Sequence, residues 1–200
     1  MSFLYLIILL CCYFLGAIPF GYLLARQSTG LNILEHGSGN IGSTNVGRIA
    51  GKHVALRVQI LDMFKGLLPV AILLFVSWKE IISMPDYFIF LAAFATVIGH
   101  NFSLFLSFRG GKGVNTTLGA TILLAPLEVI CAVLIYFLIK KRLKYVSAGS
   151  IALAITLPIA GVIFHCEKML LAYLLLVCLM ILIRHTSNIK RLFEGEEHLG

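Results

Sequence analysis

The sequence predicts an all-α polytopic membrane protein with seven transmembrane helices, two of them short, the N-terminus outside and the C-terminus cytoplasmic. Three observations predict it. Of the 200 residues, 60% are hydrophobic and 12% charged, with a mean hydropathy of +0.98, which excludes an ordinary soluble domain. The apolar residues fall in runs close to the ~20 needed to cross about 30 Å of hydrocarbon. The basic residues behind the net charge of +7 gather at 26–57, 109–112, 140–144 and 184–191, and short basic loops stay on the cytoplasmic side. The charge is therefore a signal of topology. It does not point to nucleic acid, because no interleaving of aromatic and basic residues lies outside the apolar runs. Residues 1–200 read as a single integral membrane domain.

The first span covers about 3–25 and is interrupted near its end by Gly16, Pro19 and Gly21. It lacks a basic leader and a cleavage site, so it reads as a retained helix and not a removed signal peptide. Residues 26–52 form a polar loop. The second span, 53–78, carries Arg57, Asp62 and Lys65 in its first turns. Asp62 and Lys65 are three apart and share a helix face. A lone charge at the bilayer centre costs about 2.5–3.5 kcal/mol. The pair therefore belongs near the interface or against the protein interior, unless it snorkels and only sets helix depth.

Pro85 opens the third span, 85–108, which holds Gly99, His100 and Asn101 deep within it. Residues 113–139 must leave the cytoplasm and return, because both flanks are basic. Two short helices, 113–125 and 127–139, satisfy this as a hairpin around Pro126 and Glu128. At 1.5 Å per residue each is short for a crossing. One long helix would place 140–144 outside, against the charge rule. The sixth and seventh spans are 145–164 and 169–183, joined by an external turn at 165–168. The polar tail at 184–191 returns to the cytoplasm. Five cysteines match no zinc spacing and read as buried, inert thiols. No internal repeat is evident.

The segment Gly37-Ser38-Gly39-Asn40-Ile41-Gly42-Ser43-Thr44-Asn45-Val46-Gly47-Arg48 stands out against this apolar background. Its glycines allow backbone N–H groups to converge on a small anion. Ser38, Asn40, Thr44 and Asn45 add neutral donors, and Arg48 a planar fork suited to phosphate oxygens. The bland alternative is a flexible linker. The Gly-x-Gly-x-x-Gly pattern at 37–42 is no dinucleotide fingerprint, since a membrane helix precedes it where a strand is required. A second cluster, Arg109-Gly110-Gly111-Lys112-Gly113, leads into a helix through Val114-Asn115-Thr116-Thr117. It is no Walker A loop, because Gly113 follows the lysine in place of Ser or Thr, but a helix N-terminus beside two cations favours anions.

Residues 37–48, 99–113 and 185–188, with Ser147, are expected on one side of the membrane, where they would hold one or two phosphates beside a lipid-embedded acyl tail. Clustered aspartates are lacking, since Asp62 and Asp86 are the only two. No His-x-x-x-x-Asp motif or Gly-x-Ser-x-Gly elbow occurs. His185 and His100 are the available bases, each with a structural reading beside the functional one. So few bases suffice for a substrate that is already activated, such as an acyl phosphate, whose own oxygens can take a proton. Orientation alone supplies roughly 7–11 kcal/mol in well-aligned reactions. A phosphate-ester transporter is the alternative, although transporters commonly show inverted repeats.

The segment 37–48, then Asp62-x-x-Lys65-Gly66, then Gly99-His100-Asn101 with Arg109-Gly110-Gly111-Lys112-Gly113, then His185-x-x-Asn188-Ile189-x-Arg191-Leu192 with Gly195-x-Glu197, resemble the bacterial acyl-phosphate-dependent glycerol-3-phosphate acyltransferases of PlsY type. The likeness spans nearly the whole chain in order. It implies a seven-helix enzyme of the bacterial cytoplasmic (inner) membrane, with its site facing the cytoplasm. Such an enzyme acylates the 1-hydroxyl of sn-glycerol 3-phosphate, giving lysophosphatidate and inorganic phosphate, the first acylation of phospholipid synthesis. It implies no metal, no other cofactor and no acyl-CoA; the acyl phosphate would come from a soluble acyl-phosphate-forming enzyme.

By the resemblance, Ser38, Arg48, Lys112, Ser147, His185 and Asn188 would hold glycerol 3-phosphate, with His185, Lys112 and Arg48 the catalytic set. Gly39, Asn40, Gly42, Thr44 and Asn45, with Gly110 and Gly111 nearby, would take the acyl phosphate. Ser43 stands where the family usually has Ala, and Leu34 where a basic residue is frequent.

Overall fold

The apolar runs fold as helices, and helices make up all the regular structure among the residues described, 3–197, in the computed structural model. The chain divides into two compact units, one ending at Leu123 and the other beginning at Leu124.

In the first unit, α1 (Phe3–Ala17) and α2 (Phe20–Thr29) are separated at Ile18 and Pro19. Proline lacks an N–H and clashes with the preceding turn, so the helix breaks there. Next come α3 (Ser43–Ala50), α4 (Lys52–Trp78), α5 (Tyr87–Asn101) and α6 (Val114–Thr121). Small residues bring these helices into backbone contact. A Cβ at Gly16 would collide with the Thr96 carbonyl, and one at Gly99 with the Tyr13 carbonyl, which closes α1 onto α5. Gly66 against Thr116 and Gly119 against Met63 do the same for α4 and α6. Such contacts suit membrane helices, where close van der Waals packing replaces hydrophobic exclusion. Tyr13 Oη donates to the Phe102 carbonyl at 2.8 Å and Ser103 Oγ to that of Ala17 at 2.6 Å, tying the end of α5 to α1.

The second unit contains α7 (Pro126–Leu143), α8 (Val146–Ile163), α9 (Lys168–Arg184) and α10 (Thr186–Glu194). Here α8 packs against α7 and α9, and α10 against α8 and α9.

Four segments are long and apolar enough to cross a membrane among the described residues: Phe3–Thr29, Lys52–Trp78, Tyr87–Leu106 and Val146–Ile163. A fifth is the pair α9 and α10 taken as one span with a 57° bend. Length and composition carry the expected seven crossings this far. At 1.5 Å per residue, α6 with its eight residues is about 12 Å long. The 18 residues of α7 include Glu128, Lys140, Lys141 and Arg142.

Several expected boundaries move: the first span, expected to end near 25, continues to Thr29, and the first hairpin helix, expected to reach 125, stops at Thr121. Residues 43–50, read as loop, form α3, because Asn45 and Val46 are buried on one face of a single short helix. The third span was expected to run to 108, but α5 ends at Asn101 and a 3-10 turn follows at Leu104–Leu106. The hydrogen bonds of Phe102 and Ser103 to α1 turn the chain away there. The last helix of the hairpin was expected to end at 139 and instead continues to Leu143, placing Lys140, Lys141 and Arg142 in its final turn. Cations there are favoured by the helix dipole. The cysteines divide: Cys12 and Cys178 are buried, Cys131 and Cys166 partly so, and Cys11 lies on the outer surface, against expectation. Its neighbours Leu4, Leu6, Ile7, Leu10 and Phe14 are likewise exposed, so this is the apolar face of α1 that lipid would cover.

Candidate active site

In the first unit the glycine-rich segment is shaped by Asn45, which is 2% exposed. Its Oδ1 accepts from Ser38 N at 3.0 Å, and its Nδ2 donates to the carbonyls of His36 and Asn40, both at 3.0 Å. One amide thus closes the loop on the first turns of α3. Gly37 has φ +60, and a Cβ there would strike Asn45 Oδ1. Asn40 Oδ1 accepts from Gly42 N at 2.8 Å, a turn that delivers the chain to Ser43, the first residue of α3. Ile41, 2% exposed, anchors the loop beneath among Ala25, Ile33, Val46 and Val58. Ser38, Thr44 and Arg48 lie exposed, with Gly39, Asn40 and Gly42 partly covered.

The second cluster is folded onto the end of α5. Gly111 N donates to the His100 carbonyl at 3.0 Å. A Cβ at Gly110 would strike the same carbonyl, and one at Gly111 the His100 ring. Gly113, at φ +80, lies against the Asn101 side chain and ends the turn. Lys112 is half-buried within this turn and Arg109 is exposed.

The two clusters meet. Asn115 Nδ2, in the first turn of α6, donates to Ser43 Oγ at 3.3 Å. The N-termini of α3 and α6 are therefore neighbours. The first N–H groups of a helix have no partner within it, and the dipole adds partial positive charge at the same end. Two such ends, with Lys112 just before α6, form a corner suited to an anion, while Arg48 stands farther along, in the last turn of α3.

In the second unit, the joint between α9 and α10 is His185, 2% exposed. Its Nδ1 lies 2.8 Å from the Ile181 carbonyl. A carbonyl only accepts, so Nδ1 carries the proton and Nε2 is the basic nitrogen of the neutral ring. Asn188 follows on α10. Its Nδ2 donates to Glu197 Oε1 at 2.8 Å, and Ser147 Oγ at the start of α8 donates to the same oxygen at 3.1 Å. Arg191 Nε donates to Glu197 Oε2 at 3.0 Å. Burial alone would raise the Glu197 carboxyl. The hydrogen bonds from Asn188, Arg191 and Ser147, with the Arg191 charge, outweigh it and hold the group below the usual carboxylate range.

Within each unit, then, residues far apart in sequence are brought together. Two residues that carry these contacts were not singled out from sequence. Asn115 sat in a string of small polar residues. Glu197 was visible only as part of a terminal motif; its signal is Gly195, whose φ of +74 ends α10 and turns the chain back.

A family model for glycerol-3-phosphate acyltransferase matches residues 6–195. The chain belongs to the glycerol-3-phosphate acyltransferase family. The glycerol-3-phosphate acyltransferase of Clostridium acetobutylicum is 38% identical over 185 residues, covering 91% of this chain and 92% of its own. That of Trichlorobacter lovleyi is 42% identical over 189 residues, 92% of each. The crystal structure of PlsY (YgiH), an integral membrane glycerol 3-phosphate acyltransferase, in its glycerol 3-phosphate form matches with a TM-score of 0.89 at 33% identity, covering 98% of this chain and 95% of that one. Its lysophosphatidic acid form matches at 0.86. The glycerol-3-phosphate acyltransferase here is thus of PlsY type, and the transporter alternative is set aside.

Proposed function

We propose that this chain transfers an acyl group from acyl phosphate to the 1-hydroxyl of sn-glycerol 3-phosphate, giving lysophosphatidate and inorganic phosphate. The observation that carries the reading is the Asn115–Ser43 contact, which brings together the N-termini of α3 and α6, with Lys112 just before the latter. That corner suits phosphorylated reactants, and the matching crystal structures hold glycerol 3-phosphate and lysophosphatidic acid by their descriptions.

By the resemblance, Ser38, Arg48, Lys112, Ser147, His185 and Asn188 are assigned to glycerol 3-phosphate. Gly39, Asn40, Gly42 and Thr44, with Gly110 and Gly111, are assigned to the acyl phosphate. Asn45 serves the same substrate by holding the loop in shape. In the reaction the 1-hydroxyl oxygen forms a bond to the acyl carbon and the carbon–oxygen bond to phosphate breaks. Arg48 and Lys112 stabilise the charge that collects on the departing phosphate. The hydroxyl proton goes to Nε2 of His185 or to an oxygen of that phosphate. His185→Gln separates the routes, since losing a true general base costs about 10²–10⁴ in rate.

The enzyme is proposed to lie in the bacterial cytoplasmic (inner) membrane with the site facing the cytoplasm, where a soluble enzyme would deliver acyl phosphate. The outward stripe of α7, Leu127, Ile130, Leu134, Phe137 and Leu138, is more than half exposed at each residue. That favours α7 as a lipid-facing crossing and, with α6, completes the proposed seven.

Purified protein given acyl phosphate and labelled glycerol 3-phosphate is expected to form one lysophosphatidate per phosphate released, and none from acyl-CoA. Arg48→Ala and Lys112→Ala are each expected to lower kcat/KM by at least about 10²-fold without lowering the melting temperature. Product formation from acyl-CoA alone, or full activity in either variant, would refute the reading.

A further inference from the structure

The reaction described above leaves several buried ionisable side chains unused, three of them clustered in the first unit. Asp62 and Lys65 on α4 are each 2% exposed, and His100 at the end of α5 is 4% exposed. We propose that Asp62, Lys65 and His100 form a buried positioning network that fixes the 110–113 turn, and with it the Lys112 ammonium, for glycerol 3-phosphate. The proposal rests on the assignment of Lys112 to that substrate.

Lys65 Nζ contacts Asp62 Oδ1 at 2.9 Å. The same nitrogen donates to the Ile18 carbonyl at 2.9 Å, at the break between α1 and α2, and stands 5.6 Å over the Phe20 ring. Asp62 Oδ1 in turn faces His100 Nδ1 at 3.6 Å. The other side of the His100 ring meets Gly111, so closely that a Cβ there would collide with Nε2. The His100 carbonyl accepts from Gly111 N at 3.0 Å. The imidazole is thus wedged between a carboxylate held by Lys65 and the residue that precedes Lys112. Gly113 is seated on the Asn101 side chain, so the turn is gripped on both sides of the lysine.

A device that only set helix depth would keep its charges at the interface. A device that only added stability would be as well served by apolar residues, since buried ion pairs often break even or lose against a hydrophobic replacement. What apolar residues cannot supply is a directed contact with the His100 ring and with a particular backbone carbonyl. Side chains that orient a site group by a second layer of contacts act on substrate affinity through geometry.

The test uses the full-length protein in nanodiscs, with kinetics varied in each substrate and a thermal melt of every variant. His100→Ala is expected to raise KM for glycerol 3-phosphate about tenfold or more, leaving KM for acyl phosphate within roughly twofold. His100→Gln, which keeps a polar planar group of similar reach, is expected to recover much of the loss. The double variant Asp62→Leu with Lys65→Met removes both charges together. It is expected to melt no lower than the parent and still show the raised KM. A double variant with parental KM overturns the proposal, as do single variants whose two KM values rise together in proportion to lost melting temperature. Lys112→Ala is measured alongside. A parental KM for glycerol 3-phosphate in that variant sinks both the site assignment and the network. A raised KM there, with parental kinetics in the His100 variants, sinks the network alone.

Discussion

Asn45 shows how one side chain can shape a binding loop. It is expected among the residues that take the acyl phosphate, and its amide joins Ser38, His36 and Asn40. Asn45→Ala leaves those groups without their partner, at a cost of about 1–3 kcal/mol. It is expected to lower the melting temperature and raise KM for acyl phosphate together. Asn45→Asp keeps the acceptor and loses both donors, so it should not rescue; parental kinetics in Asn45→Asp would show the loop holds without the amide. Glu197 makes a second residue-scale prediction. Its carboxyl is held below the ordinary range by hydrogen bonds and a guanidinium. A depressed acid stabilises the fold above its unfolded pKa, about 4.3, and loses that contribution as pH falls through the native value. The melting difference between the parent and Glu197→Gln should be largest at neutral pH and close on acidification. A difference constant across the pH range would contradict this.

Among the elements, α6 is short and tightly held. It is eight residues long, and Gly119 lies against the Met63 carbonyl of α4 while Gly66 of α4 lies against Thr116. Gly119→Ala drives a methyl group into backbone that cannot swing aside, and overpacking of this kind costs about 1–3 kcal/mol. It is expected to lower the melting temperature and, because α6 carries Asn115, to weaken binding of the phosphorylated substrates. A variant as stable and active as the parent would mean that α4 and α6 can separate freely. The same scale explains the misplaced boundaries. Apolar content continues through Phe102, Leu104, Phe105 and Leu106, so composition extends the third span beyond Asn101. Only the contacts of Phe102 and Ser103 with α1 end it. Conversely, the many glycines and polar residues of 37–48 conceal α3, which is helical because Asn45 and Val46 find buried places on one side.

For the whole molecule, the sidedness of the chain is the property on which the proposed chemistry depends. A soluble donor enzyme can reach only a site on its own side of the bilayer. A reporter fused after Lys144 is expected to read as cytoplasmic, since Lys140, Lys141, Arg142 and Lys144 form the densest basic stretch. A periplasmic reading there would replace the α6–α7 hairpin by one crossing and remove one of the proposed seven.

By itself the sequence determined that the chain is helical and membrane-embedded, and which segments are chemically unlike the rest. These properties follow from composition, helix-length apolar runs and local motifs, all carried by neighbouring residues. Only the tertiary structure decided that Asn115 meets Ser43, that Asp62 faces His100, and that Glu197 gathers Ser147, Asn188 and Arg191. Contacts between distant residues leave no periodic trace in a sequence; they exist because packed helices bring particular turns close together.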